Sequence, residues 1–167
     1  YCWLFSDDDL LELNSISTIK NILQKELDLL VVNSSIHSKF FNKVLCSNIL
    51  SSEKDILYKN EGEKVFLDLA SYLSFIGAIV VRREFWMTRN RNIHHGSAFA
   101  HIGVLFQDPL PSNVYYLSEP IIKIRYGNSE WAPRGFKIWF QQWPNQVMVL
   151  DNLSYELRKK VANNGIE

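Results

Sequence analysis

Cysteine is scarce in this chain: Cys2 and Cys46 are the only two among 167 residues. They form no motif, which argues against a disulfide framework and for reduced thiols in a cytoplasmic setting. An excess of charge is missing too. Eighteen Lys and Arg balance eighteen Asp and Glu, for a formal net charge of +0, so no broad field attracts nucleic acid. No uninterrupted apolar stretch is long enough to span a bilayer, and no signal peptide is visible. No internal repeat and no low-complexity linker occurs. What is present is 47% apolar and 22% charged sequence, which suits one globular domain over residues 1–167 with a sizeable core. Aromatic residues crowd the C-terminal third.

The order of elements predicts an α/β fold. Tyr1 to Phe5 reads as a buried strand, of the kind found in the middle of a parallel sheet. It starts without a lead-in or an initiator Met, so we expect the chain to be the latter part of a longer protein. Asn14 or Ser15 can cap a helix over Ile16 to Glu26 with Ile16, Ile19, Ile22 and Leu23 on one face. Leu29 to Val32 is a short buried strand, completing a strand–helix–strand unit. Ser34 to Ile56 reads as a loop with extended pieces. Glu63 to Leu73 is a helix with Val65, Phe66, Leu69, Ala70 and Leu73 inward. Gly77 to Val81 is a strand, Arg83 to Arg89 one or two helical turns, and Ser97 to Phe106 a short helix. Val114 to Leu117 and Ile121 to Tyr126 read as strands. A helix over Phe136 to Trp143, with Phe136, Trp139, Phe140 and Trp143 on one face, is expected to be interrupted by Pro144. Ser154 caps a last helix to Asn163, with Gly165 beyond its end. A sheet-and-helix core over 1–126 is thus followed by an aromatic helical region over 127–167.

The acidic run "WLFSDDDLLEL" is the first stretch that points to chemistry. Adjacent carboxylates raise one another's pKa, and a hard cation offsets their repulsion. Mg²⁺ is held by one or two carboxylates plus substrate phosphates. Ligands of open α/β sheets bind outside the carboxyl ends of strands, and Asp7 to Asp9 stand at such an end. The alternative is a solvated turn. An EF-hand fails on the spacing of its Gly and Glu.

"YCWLFSDDDLLELNSI" resembles the DXD region of family 2 glycosyltransferases, the GT-A fold enzymes. It looks most like the bacterial group that builds O-antigen and related surface polysaccharides, including abequosyltransferase-like proteins. "LDLLVVNSS", "FIGAIVVRREFW" and "IIKIRYGNSEWAPRGFKIWFQQWP" continue it in order. The resemblance implies a GT-A-like (Rossmann-like) mixed sheet flanked by helices, without its N-terminal nucleotide-binding half. It implies an inverting, metal-dependent sugar transfer from a nucleotide-sugar donor to a saccharide or polyprenyl-linked acceptor. Asp8 or Asp9 would bind Mg²⁺ or Mn²⁺. Asp7 and Asp8 would lie near the ribose or the diphosphate.

Arg82 and Arg83 follow the strand Gly77 to Val81 and can pair with phosphates. Trp86 can stack on an acceptor sugar, with Glu84 beside it. The alternative is a charged helix start with Trp86 in the core. An inverting transferase needs a general base, and the resemblance implies an acid from a Glu-Asp pair. That pair is absent from "NRNIHHGSAFAHIGVLFQD", which offers His94, His95, His101 and Asp108 instead. His101 on an apolar face also fits a core residue, and the histidine spacing does not meet a zinc site. Trp131, Phe136, Trp139, Phe140 and Trp143, with Arg134 and Lys137 among them, suit either sheet packing or peripheral contact with the inner face of the plasma membrane. Two further readings stand beside the transferase: a non-catalytic fragment that binds a saccharide or a protein, and a phosphate-handling hydrolase. No nucleophile or phosphate loop accompanies the hydrolase.

Overall fold

The computed structural model describes residues 1–127 and 132–164. Among these, one mixed sheet contains β1 (Cys2–Trp3), β2 (Leu10–Leu11), β3 (Leu29–His37), β4 (Val44–Cys46), β5 (Ile56–Lys59), β6 (Ile79–Val81) and β7 (Asn113–Arg125). Its order is β1-β6-β3-β7-β2, with β4 added to β3 and β5 to β7. β3 and β7 are parallel, and the remaining pairs are antiparallel.

The run Leu29-Leu30-Val31-Val32 is wholly buried because both faces of the sheet are covered. Leu29 and Val31 point into a large cluster with Val65 and Phe66 of helix α2 (Gly62–Leu69) and Ile102 and Leu105 of α4 (Ala100–Leu105). Leu30 and Val32 point the other way, against Ile19 of α1 (Ser15–Ile22). Each such aliphatic side chain contributes about 1.5–3 kcal/mol on burial. The short helix α3 (Arg83–Met87) follows β6. α5 (Gly135–Lys137), α6 (Trp143–Met148) and α7 (Tyr155–Asn164) end the described chain. Trp143, Val147, Val161 and Ala162 join the same cluster as Leu29 and Phe66, so the C-terminal helices share the core of the sheet.

Several elements differ from the sequence reading. Only Cys2–Trp3 of the first segment is strand, and Tyr1, Leu4 and Phe5 are exposed. β1 pairs with β6 alone, so it is an edge rather than a central strand among the described residues. α1 ends at Ile22 and tightens into a 3₁₀ turn before Glu26 takes a left-handed φ of 54°. Ile16 is exposed. Neither Asn14 nor Ser15 caps α1 with its side chain, and Ser15 Oγ instead donates to the Glu12 carbonyl at 2.7 Å.

β3 runs on through Asn33-Ser34-Ser35 to His37 inside a stretch that reads as loop. Its register to β7 shifts on either side of Asn33. Asn33 Nδ2 donates to the Leu50 and Ser118 carbonyls, at 3.1 and 2.9 Å, so a buried polar residue satisfies the irregularity. The two strands expected over 114–126 are one, β7.

Pro144 does not end its helix. A π-helical turn over Ile138–Gln142 widens the spiral just before α6, and Pro144 sits in the first turn of α6, where its missing N–H costs little. The aromatic stripe also splits. Trp143 is fully buried, while Phe136 and Phe140 are 71% and 51% exposed. Ser154 does cap α7, accepting the Leu157 N–H at 3.3 Å. Trp131 and Gly165 lie outside the described residues.

Candidate functional site

The acidic turn closes the connection from β1 to β2. Asp7 is exposed, Asp8 half-buried and Asp9 buried. Two contacts fix its start: Trp3 Nε1 donates to the Gly77 carbonyl at 2.6 Å, and Ser6 Oγ donates to Asp8. One contact fixes its end: the Arg125 main-chain N–H donates to Asp9 Oδ1 at 3.0 Å. Burial pushes the Asp9 carboxyl above its ordinary value, more than the Arg125 hydrogen bond lowers it, and the neighbouring Asp8 adds to the rise. Asp9 thus helps to shape the turn through one of its oxygens, Asp8 accepts from Ser6, and Asp7 is exposed.

Beside the turn, β3 and β7 end together. His37 stands opposite Arg125, and Tyr126 N–H donates to the His37 carbonyl at 2.9 Å. The loop after β3 brings Phe41 back, its ring centroid 5.9 Å from that of His37 and 4.9 Å from the Arg125 guanidinium carbon. Phe41 holds a positive φ of 57° to do so.

Arg82 and Arg83 are not brought to this turn. Arg82 N–H bonds the Asp28 carbonyl just before β3, whereas Arg125 pairs with its last residue, His37. The nine residues of β3 therefore separate the two groups, about 26 Å at roughly 3.3 Å per residue. At that far end the Arg82 guanidinium pairs with the buried Asp28 carboxylate. Burial raises the Asp28 pKa, but Ser112, Asn113 and Arg82 outweigh it and hold the carboxyl below its ordinary value. Asp28, Arg82, Glu84, Phe85 and Arg89 line a cleft of about 340 Å³ there. Arg83 and Asp108 are exposed, and Trp86 is half-buried against the main core.

The three histidines considered as bases lie in α4, which holds His101, and in the turn before it, which holds His94 and His95. His95 is exposed. His94 Nδ1 accepts from the Gln146 amide at 3.1 Å. His101 Nε2 meets the Leu73 carbonyl at 2.9 Å. A carbonyl only accepts, so Nε2 carries the hydrogen and Nδ1 the lone pair. Burial pushes the His101 pKa down, against the upward pull of the Leu73 and Ser74 carbonyls, which keeps the ring neutral near pH 7. The segment it touches leads directly to Gly77, the partner of Trp3.

Among the described residues no three His, Cys, Asp or Glu side chains form a group that could hold a metal ion. The turn nevertheless fits Mg²⁺ or Mn²⁺ bound jointly with phosphates, since that mode needs only one or two carboxylates and Asp7 and Asp8 supply them. Sequence reading found the three aspartates but assigned no role to His37, Phe41 or Arg125. Arg125 stands within "IIKIRYGN", whereas His37 carried no signal because its stretch read as loop. Compared with known proteins, the chain matches no family model and no curated protein. Among the described residues no helix is long and apolar enough to cross a membrane.

Proposed function

We propose that this chain is the catalytic part of a GT-A-type family 2 glycosyltransferase that moves a sugar from a nucleotide-sugar donor to a saccharide or polyprenyl-linked saccharide. One observation carries the proposal. The four stretches that resemble the family form the four neighbouring strands β1, β6, β3 and β7, and the first and last, 116 residues apart, meet in the Asp9–Arg125 hydrogen bond.

In this reading Asp7 and Asp8 hold Mg²⁺ or Mn²⁺ against the donor diphosphate, and Asp9 sets the turn. The ion offsets negative charge on the departing nucleoside diphosphate. His101, neutral and with its Nδ1 lone pair unprotonated, is the base candidate whose protonation state suits taking the acceptor hydroxyl proton. Arg82, Glu84 and Trp86 stand at the other end of the sheet, away from the reacting bond. The stacked Phe136 and Phe140 rings, 4.8 Å apart, suit the surface of a membrane that holds a polyprenyl acceptor.

Titrating UDP, GDP and CDP in turn, with and without Mn²⁺, tests the reading. Metal-dependent binding that Asp8→Asn abolishes is expected. Binding of none of the three overturns it. The separation of Arg82 and Trp86 from the acidic turn favours a second reading, a non-catalytic saccharide-binding chain, which predicts saccharide binding without metal-dependent nucleotide binding.

A further inference from the structure

Arg89, just beyond α3, is a buried cation without a counter-ion. It is 6% exposed and forms no ion pair among the described residues. Two of its five N–H groups donate to main-chain carbonyls, one to Gln107 at 2.7 Å and one to Pro109. Its Nε is buried and has no partner among the described residues. The guanidinium carbon lies 4.0 Å from the centre of the Phe85 ring, which covers one face and leaves the edge for a ligand. Burial pushes the guanidinium below its ordinary pKa, against the pull of Asp28 and Asp108. Carbonyl dipoles orient such a charge but do not neutralise it, and a buried charge calls for a paired one.

The cleft that Arg89 lines measures about 340 Å³, at the small end for ligand pockets. Phe85, Pro109 and Leu110 give it apolar walls. Its other polar side chains are engaged. One Asp28 oxygen pairs with Arg82, and the other accepts from Ser112 N–H and Oγ and from Asn113 N–H. Thr88 Oγ1 donates to the Phe85 carbonyl at 2.8 Å. Few groups are left for the hydroxyls of a sugar. With Arg82 matched by Asp28, one positive charge remains inside. Exposed Glu84 also lines the cleft, and it opposes a dianion more than a monoanion. A planar carboxylate matches the edge of a guanidinium in a two-bond fashion.

We propose that this cleft binds a small organic monocarboxylate, its carboxylate on Arg89 and its apolar body between Phe85, Pro109 and Leu110. The site stands at the start of β3, a full strand length from the acidic turn, and does not rest on the transferase reading.

Two probes suit the size and chemistry, 4-methylpentanoate and 3-phenylpropanoate, with 3-phenylpropanamide as the uncharged match and inorganic phosphate as the other anion. Each is titrated into the ¹⁵N-labelled chain and followed by amide chemical shifts. Saturable shifts at Phe85, Thr88 and Ser112 are expected with a carboxylate, and affinity at least tenfold weaker for the amide and for phosphate. Arg89→Gln is expected to lose tenfold or more in carboxylate affinity. Arg83→Gln removes the same charge from an exposed position of α3 and is expected to lose none. If Arg89→Gln fails to fold, Thr88→Trp fills the cleft from its exposed side and is expected to weaken the carboxylate tenfold. No saturable shift from either carboxylate up to about 10 mM overturns the proposal. So does equal affinity for the amide, or tighter binding of phosphate. Equal losses in Arg83→Gln and Arg89→Gln overturn the assignment to Arg89, as does unchanged affinity in Arg89→Gln or in Thr88→Trp.

Discussion

Asp9 accepts the Arg125 main-chain N–H across 3.0 Å although its carboxyl is held above the ordinary pKa. A buried carboxylate with a raised pKa disfavours its own ionised form. The folded state binds the proton more tightly than the unfolded one, so this group's contribution to stability declines as pH rises through the window between the unfolded value, about 3.9, and the raised folded one. Asp9→Asn keeps an acceptor for Arg125 and removes the charge. Its melting temperature at pH 7 is expected to equal or exceed that of the parent, and a clear fall would show that the ionised form stabilises the turn.

Asp28 is the opposite case. Its carboxyl is held below the ordinary range, so its contribution is present above about pH 4 and is lost as pH falls through the folded value. Ser112 N–H and Oγ and Asn113 N–H donate to it at 2.9, 2.8 and 3.1 Å. Asp28→Asn is expected to cost about 2–3 kcal/mol at pH 7, as loss of hydrogen bonds to a buried charge does. The cost should shrink towards pH 3, which urea melts at the two pH values measure.

His101 titrates below its ordinary value of 6.5. If it takes the acceptor proton, kcat/KM holds its plateau down through pH 6.5 and falls only at lower pH. His101→Asn is expected to reduce kcat by about 10²–10⁴-fold with little change in nucleotide affinity. An unchanged kcat would remove His101 from the reaction.

Phe136 and Phe140 stack at 4.8 Å on the outside of the π-helical turn. Between residues 132 and 164 the cations Arg134, Lys137, Arg158, Lys159 and Lys160 face only Asp151 and Glu156. Exposed aromatics in a basic region favour an anionic bilayer surface. In a flotation assay with anionic vesicles the chain is expected to float, and the double change Phe136→Ser, Phe140→Ser to leave it in the soluble fraction. A chain that stays soluble from the start counts against membrane contact.

Trp143 is fully buried and touches Phe99 edge-on, centroids 5.1 Å apart. Trp143→Ala is expected to cost about 3–5 kcal/mol, seen as a lowered denaturant midpoint.

The helices were the legible part of the sequence. The inward set Val65, Phe66, Leu69, Ala70 and Leu73 is buried to the last residue, because helical periodicity and burial coincide when one face meets a broad sheet, although α2 ends at Leu69 and Leu73 lies in a separate 3₁₀ turn over Tyr72–Ser74. The second half of β3 was not legible. Its buried residues are Asn, Ser, Ser and His, and the first three find partners far along the chain: Asn33 at Leu50 and Ser118, Ser34 at Tyr72, and Ser35 at Ile122. No local pattern encodes such pairings. The aspartates could be read from an acidic run after apolar residues. The neighbours Arg125 and Phe41 could not, since only the sheet register and a left-handed turn bring them there. Pro144 misled for a similar reason: a π-helical turn depends on how the chain fits its core, not on one residue's φ.

β1 is hydrogen-bonded to β6 on one side, and among the described residues its other side has no neighbouring strand. Leu4, 60% exposed, and Phe5, 37% exposed, flank that border. An open strand border is a template for pairing with another chain, so solutions of this chain should scatter more light as concentration rises, and Leu4→Lys should suppress it. The border is also continuous with Ser6 to Asp9. Any segment that zipped onto β1 would stiffen the acidic turn from outside, tying assembly of the sheet to readiness of the carboxylates.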